Sequence, residues 1–362
     1  MKKSLIALAV LASTGAMAQS SVTLYGIADV NLQSSKAAGL RQTKVESGGV
    51  NGSRFGLKGS EDLGGGLKAL FVLEGGFNID NGSSSKAGSL FNRQSYVGLA
   101  GNFGEFRIGN VRTAYDDTSI NSDPLWDSLL APAYSVWTNN YNPTPGNSVY
   151  YSTPSFGGLT AAVSYALGEN KSNATATAGA KKEIGVGAVN VQYSAGPIYA
   201  SIAYQEDKLA KRAYGLAVNT LSITPVAPAA AFATASAAAN SAAVASYKTT
   251  LVNASYDLGV AKLEGSYNRN VQADNTKSDQ YQIGVDVPVS PALTLSTGYA
   301  YSKDKLNGVS GDKRDGFGLG AKYSLSKRTF VYTGAVFGET KPAAGGNKVK
   351  TDIYAIGLNH SF

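Results

Sequence analysis

The C-terminal third of this chain is written in period two. Between 280 and 289, Tyr281, Ile283, Val285 and Val287 alternate with Gln280, Gln282, Gly284 and Asp286. Between 292 and 302, Leu293, Leu295, Thr297, Tyr299 and Tyr301 alternate with Thr294, Ser296, Gly298, Ala300 and Ser302. Tyr354, Ile356, Leu358, His360 and Phe362 oppose Ala355, Gly357, Asn359 and Ser361 in the same way. A repeat of two puts each set on one face of a β-strand. No stretch supplies the roughly 20 consecutive strongly apolar residues of a membrane-spanning helix. The nearest, 229–245, is alanine diluted by Thr234, Ser236, Asn240 and Ser241, and it reads as a low-complexity loop.

A soluble sandwich would alternate too, so other features decide. The runs are about 8 to 12 residues, the length that crosses a bilayer when a strand is tilted. Tyr247, Tyr256, Tyr267, Tyr281, Tyr323, Tyr354 and Phe362 stand near strand ends, where interfacial aromatic girdles form. Connections alternate between tight turns, such as Gly101-Asn102-Phe103-Gly104 and Ser290-Pro291, and long polar segments near 34–52, 80–88, 114–146, 169–181, 207–246, 271–277, 303–312 and 340–350. Short turns on one side and long loops on the other are the outer-membrane pattern. Counting on that alternation predicts an all-β fold, a sixteen-stranded antiparallel transmembrane β-barrel running from a first strand at 21–33 to a last at 351–362, large enough for an aqueous lumen. Pairing 211–220 as well would raise the count to eighteen.

The first eighteen residues stand apart. Lys2 and Lys3, the apolar run from Leu5 to Ala12 and Ala16-Met17-Ala18 form a secretory signal peptide, 1–18, leaving 19–362 as the barrel domain. Its removal takes the formal charge from +7 to +5.

Composition narrows the chemistry. With no Cys and a single His, His360, thiolate metal sites, cysteine nucleophiles and a serine–histidine engine lose their parts, and neither an enzyme, a cofactor nor a metal is expected. Basic residues are scattered rather than clustered, which argues against nucleic acid. Gly316-Phe317-Gly318-Leu319-Gly320 has glycine spacing but lies in a strand pattern with no helix after it, so it is not a nucleotide loop. A water-filled pore is specified instead by charges at a constriction. Phe55 and Leu57 facing out turn Arg54 and Lys58 inward, and the same parity count sends Lys68, Glu74 and Arg107 inward and Arg112 outward. Arg93 shares its parity with Val97 and Leu99.

Four segments carry a family resemblance. Ser21-Val22-Thr23-Leu24-Tyr25-Gly26, the run from Gly52-Ser53-Arg54-Phe55-Gly56 through Glu61-Asp62-Leu63-Gly64-Gly65-Gly66, Asn92-Arg93-Gln94-Ser95-Tyr96-Val97-Gly98-Leu99, and the terminal Gly357-Leu358-Asn359-His360-Ser361-Phe362 resemble the trimeric Gram-negative outer-membrane porins, especially the β-proteobacterial branch. The resemblance implies passive diffusion of ions and small hydrophilic solutes, a homotrimer among outer-membrane lipid and lipopolysaccharide, and a long third loop, 114–146, folded into the pore. It places Arg54 and Arg93 in a basic cluster on the wall, opposite loop acids drawn from Asp116, Asp117, Asp123 and Asp127. It also gives the terminal Phe362 the role of an assembly signal. Five basic candidates then face five acidic ones. Because the arginines sit on rigid strands, the expectation is a weak to moderate anion preference. The alternative is a structural or adhesive barrel whose long loops bind a partner.

Overall fold

The computed structural model describes residues 21–168, 185–209, 245–343 and 345–362. The first strands are β1 (Ser21–Ala37), β2 (Leu40–Ser47), β3 (Arg54–Gly64), β4 (Leu67–Gly76), β5 (Gln94–Gly101) and β6 (Gly104–Asn110). Two short helices follow, α1 (Asp116–Ser119) and α2 (Pro132–Val136). The wall resumes with β7 (Ser148–Ser152), β8 (Leu159–Ala166), β9 (Gly185–Ala195), β10 (Ile198–Leu209), β11 (Ala245–Asp257) and β12 (Lys262–Val271). It ends with β13 (Thr276–Pro288), β14 (Leu293–Leu306), β15 (Val309–Ser324), β16 (Thr329–Lys341) and β17 (Val349–Ser361).

Each strand pairs antiparallel with its neighbour, and β1 closes the ring on β17, from Ile27 opposite Ser361 to Ala37 opposite Thr351. Gly26 and Phe362 continue that seam by exchanging two main-chain hydrogen bonds of 3.0 Å. β2 and β3 share one position in the wall, because the upper half of β1 pairs with β2 and its lower half with β3. Seventeen strands thus build sixteen staves. β10 pairs directly with β11 along its whole length, so no stave stands between them. Residues 211–220, on which the eighteen-strand count depends, and the expected signal segment 1–18 lie outside the described residues.

The burial is inverted relative to a soluble protein. On β13 Gln280 is wholly buried while its neighbour Ile283 is 66% exposed, and on β11 Asn253 is buried while Val252 is exposed. Polar side chains point into the lumen and aliphatic ones point out, the arrangement that suits a wall surrounded by lipid.

Several expected loops are strand. β1 and β2 run through 34–47, and β14 and β15 meet at a two-residue turn inside 303–312. These extensions carry no apolar alternation. Cross-strand charge holds them instead, as in Arg314 on Asp304 at 2.7 Å and Lys341 on Asp315 at 3.4 Å.

Between β2 and β3, residues 48–53 leave the wall and bulge inward. Asp29 anchors them. Its buried carboxylate accepts from the backbone N–H groups of Gly49 (2.9 Å), Val50 (3.2 Å) and Asn51 (3.0 Å), from the Tyr332 hydroxyl (2.6 Å) and from Asn359 Nδ2 (2.8 Å).

Candidate functional site

The third long connection, 111–147, turns into the barrel and crosses it. At its start Ala114 is pinned to the wall, with its N–H donating to Ser164 Oγ at 2.9 Å and its carbonyl accepting from Asn190. Tyr115 donates to Asn268 on β12, and the loop tip then reaches β13 through β16. Leu129 donates to the Gly49 carbonyl of the inward bulge at 2.8 Å. Leu125, Leu129 and Leu130 form an apolar core inside the lumen with Val50, Tyr332, Val336 and Ile353.

Glycine makes this seat possible. Gly284, Gly298, Gly318, Gly320 and Gly334 are cross-strand neighbours that face inward on β13 to β16. A Cβ on Gly284 would stand 2.2 Å from Pro124 Cβ, and one on Gly318 2.4 Å from the Leu130 carbonyl oxygen. The flat lane lets the loop lie against the wall, so Gly318 and Gly320 of the Gly-Phe-Gly-Leu-Gly run are floor for a loop. Above this lane the chain takes a left-handed turn, with φ of 62° at Leu125, 66° at Trp126 and 53° at Asp127. Left-handed backbone costs a side-chain-bearing residue about 1–2 kcal/mol. The turn drives Leu125 into the lane and leaves Asp127 exposed to the lumen.

Facing the loop across a cavity of about 410 Å³ is a basic wall. Arg93 Nε meets Glu74 Oε1 at 2.7 Å, and the other oxygen of Glu74 accepts from the Tyr25 hydroxyl at 3.0 Å. Arg54 bonds the Gly52 carbonyl at 2.9 Å and lies within electrostatic reach of Arg93 and Arg112. Arg112 belongs to this group, contrary to the parity count. β6 ends at Asn110, and Gly109 takes φ 141°, so the alternation does not carry through to residue 112. Arg112 Nε pairs with Asp116 Oδ2 at 2.9 Å. Lys86, not singled out in the sequence, also lines the cavity.

The other candidates separate. Arg107 does face inward, but it is paired with Glu105 at 2.6 Å and packed over the rings of Tyr150 and Tyr96. Lys58 lies over the Tyr25 ring, and Lys68 stands one residue into β4 at the short-turn end; neither lines the cavity. Asp116 lines it and accepts from the Tyr141 hydroxyl at 2.7 Å. Asp117 turns away to accept from Tyr150 at 2.7 Å, and burial pushes its carboxyl up to about 6. Asp123 and Asp127 line the cavity in mutual hydrogen-bond contact. Enclosure by loop and wall raises both well above the ordinary carboxylate range, although Asp127 still touches lumen water.

Residues 4–343 match the Gram-negative porin family. The chain belongs to that family. This porin is 35% identical to outer membrane porin protein 32 of Delftia acidovorans, over 99% of the chain and 95% of that protein. It is 31% identical to the major outer membrane protein P.IB of Neisseria meningitidis serogroup B, over the whole of both. Its fold matches the anion-selective porin from Comamonas acidovorans with a TM-score of 0.74 at 28% identity, covering 95% of this chain and all of that one. It also matches a trimer form of OmpT from Vibrio cholerae at 0.69 and 16% identity, a likeness of fold alone. The porin is an outer-membrane protein, and its fold and relatives are those of a water-filled channel.

Proposed function

We propose that this porin is a passive diffusion channel for ions and small hydrophilic solutes with a weak to moderate preference for anions. The observation that carries this is the charge balance at the constriction. Arg93 and Arg112 are paired with Glu74 and Asp116, whereas among the described residues Arg54 and Lys86 form no ion pair, Arg54 lying beside the cavity within electrostatic reach of Glu74 and Asp127. Opposite them, burial and mutual contact raise the Asp123 and Asp127 carboxyls, which weakens the negative charge on the loop. Wall cations without an ion pair facing loop acids of weakened charge favour anion entry, and a narrow low-dielectric passage focuses that field. The anion selectivity of the Comamonas acidovorans porin supports the same sign.

The same reading makes the protein a channel and not an enzyme. It assembles as a homotrimer among outer-membrane lipid and lipopolysaccharide. The trimeric form of the Vibrio OmpT supports this. Export uses the 1–18 signal peptide, and Phe362 serves as the assembly signal. The test is the zero-current potential of the purified trimer in a planar bilayer under a potassium chloride gradient. A potential of anion sign is expected, and one of cation sign refutes the preference.

A further inference from the structure

A second bay, of about 200 Å³, opens beneath the constriction at the short-turn end of the barrel. Asp123, Trp126, Asp127, Lys262, Glu264 and Asp286 are among the residues that line it. Its carboxylates are not all satisfied from within. The Glu264 side chain is 3% exposed; its Oε1 accepts from Lys262 at 2.5 Å, while its buried Oε2 has no partner. Oδ1 of Asp123 and Oδ1 of Asp286 are buried and unpartnered as well. Glu264 lies within electrostatic reach of both aspartates. Neither lysine fills the gap, since Lys262 is held on the other Glu264 oxygen and Lys322 stacks over the Trp126 ring at 4.6 Å. Four carboxyl groups line the bay against one lysine, with Lys322 beside it on Trp126, so acids outnumber bases. Buried unpaired acceptors are costly and call for a donor.

We propose that this bay is a binding subsite for the primary ammonium group of a small solute. An ammonium carries three N–H donors and no acceptor, which suits a bay whose buried carboxylate oxygens lack donors. Its positive charge offsets part of the excess of acids. The subsite rests on the channel reading, because the lumen is its only evident entrance among the described residues. It adds to that reading a pause for amines on a path otherwise tuned to anions.

The test uses the full-length mature protein in a planar bilayer at low ionic strength. Butylammonium chloride, tetramethylammonium chloride and magnesium chloride are added in turn on the side of the short turns. Butylammonium should lower the single-channel current to a saturating level, and tetramethylammonium, which has no N–H, should not. Glu264→Gln should raise the half-blocking concentration about tenfold, as loss of a hydrogen bond to a charged group predicts. Asp286→Asn should act in the same direction and serves if Glu264→Gln fails to assemble. Equal block by butylammonium and tetramethylammonium, block by magnesium at the same concentration, or block unchanged in both variants would overturn the subsite. Absence of any channel current would instead refute the channel itself.

Discussion

The glycine lane makes a graded prediction. In Gly284→Ala the new methyl would stand 2.2 Å from Pro124 Cβ, 2.5 Å from its Cγ and 2.8 Å from the Thr297 carbonyl oxygen. Carbon atoms rest about 3.5–4.0 Å apart, so the loop tip must lift by about 1.5 Å. The wall cannot yield, because β13 is hydrogen-bonded on both sides. Overpacking of this kind costs about 1–3 kcal/mol. The lift carries Asp123 and Asp127 toward the pore axis, so the current falls and selectivity moves toward cations. Gly298→Ala meets Pro124 Cγ at 2.9 Å and should do the same more mildly. Gly265→Ala, on the outward face of the adjacent strand with its nearest contact at 3.7 Å, is the control for a glycine that does not touch the loop. Single-channel recording and thermal melting of the folded trimer should rank the three as 284, 298, 265. If Gly284→Ala and Gly265→Ala behave alike, the lane is not the seat of the loop.

Three further outcomes follow from the same geometry. Burial raises the Asp123–Asp127 pair and Asp117, so these carboxyls bind protons more tightly folded than unfolded; lowering the pH from about 8 toward 5 should strengthen both anion preference and thermal stability, and reversal potentials flat across that window would contradict it. Asp29→Ala strands the donors of Gly49, Val50, Asn51, Tyr332 and Asn359. That loss should cost on the order of 3 kcal/mol or more and loosen the bulge that holds Leu129, to be read as a lower melting point with noisier current. Deleting Phe362 removes two main-chain bonds to Gly26 and should cut surface yield more than it alters the conductance of assembled protein; an unchanged yield would argue against the signal role.

The barrel was legible because lipid outside and water inside impose one rule on every stave. That rule is written in runs such as 280–289 and 351–362. It stops at the bilayer, so the hairpins of β1–β2 and β14–β15, held by polar cross-strand pairs, look like loops in the sequence. The inward turn of Arg54 and Arg107 followed from parity, and the place of Arg93 from family likeness. Arg112 was misplaced because a strand ended two residues before it, which parity alone does not reveal. Lys86 carries no periodic signal. The glycines at 284, 298, 318, 320 and 334 were visible one by one, but only the register brings them together. Which aspartates reach the lumen depended on a left-handed turn without glycine, a conformation that no residue from Leu125 to Asp127 advertises.

On the proposed reading, ion preference in this porin rests on the net positive charge of the wall, to which Arg54, without an ion pair, and Arg93, paired with Glu74, each add one unit. A unit charge about 6 Å from a passing ion contributes about 0.7 kcal/mol in water-like surroundings, roughly a threefold change in permeability ratio. The direct test is the reversal potential of Arg54→Ser/Arg93→Ser beside the unaltered porin, in the same potassium chloride gradient at low ionic strength, where screening is least. Loss of both charges should shift the potential toward cations by about a tenfold change in permeability ratio. The shift should shrink in concentrated salt. A potential that does not move would mean the selective charges lie elsewhere in the barrel.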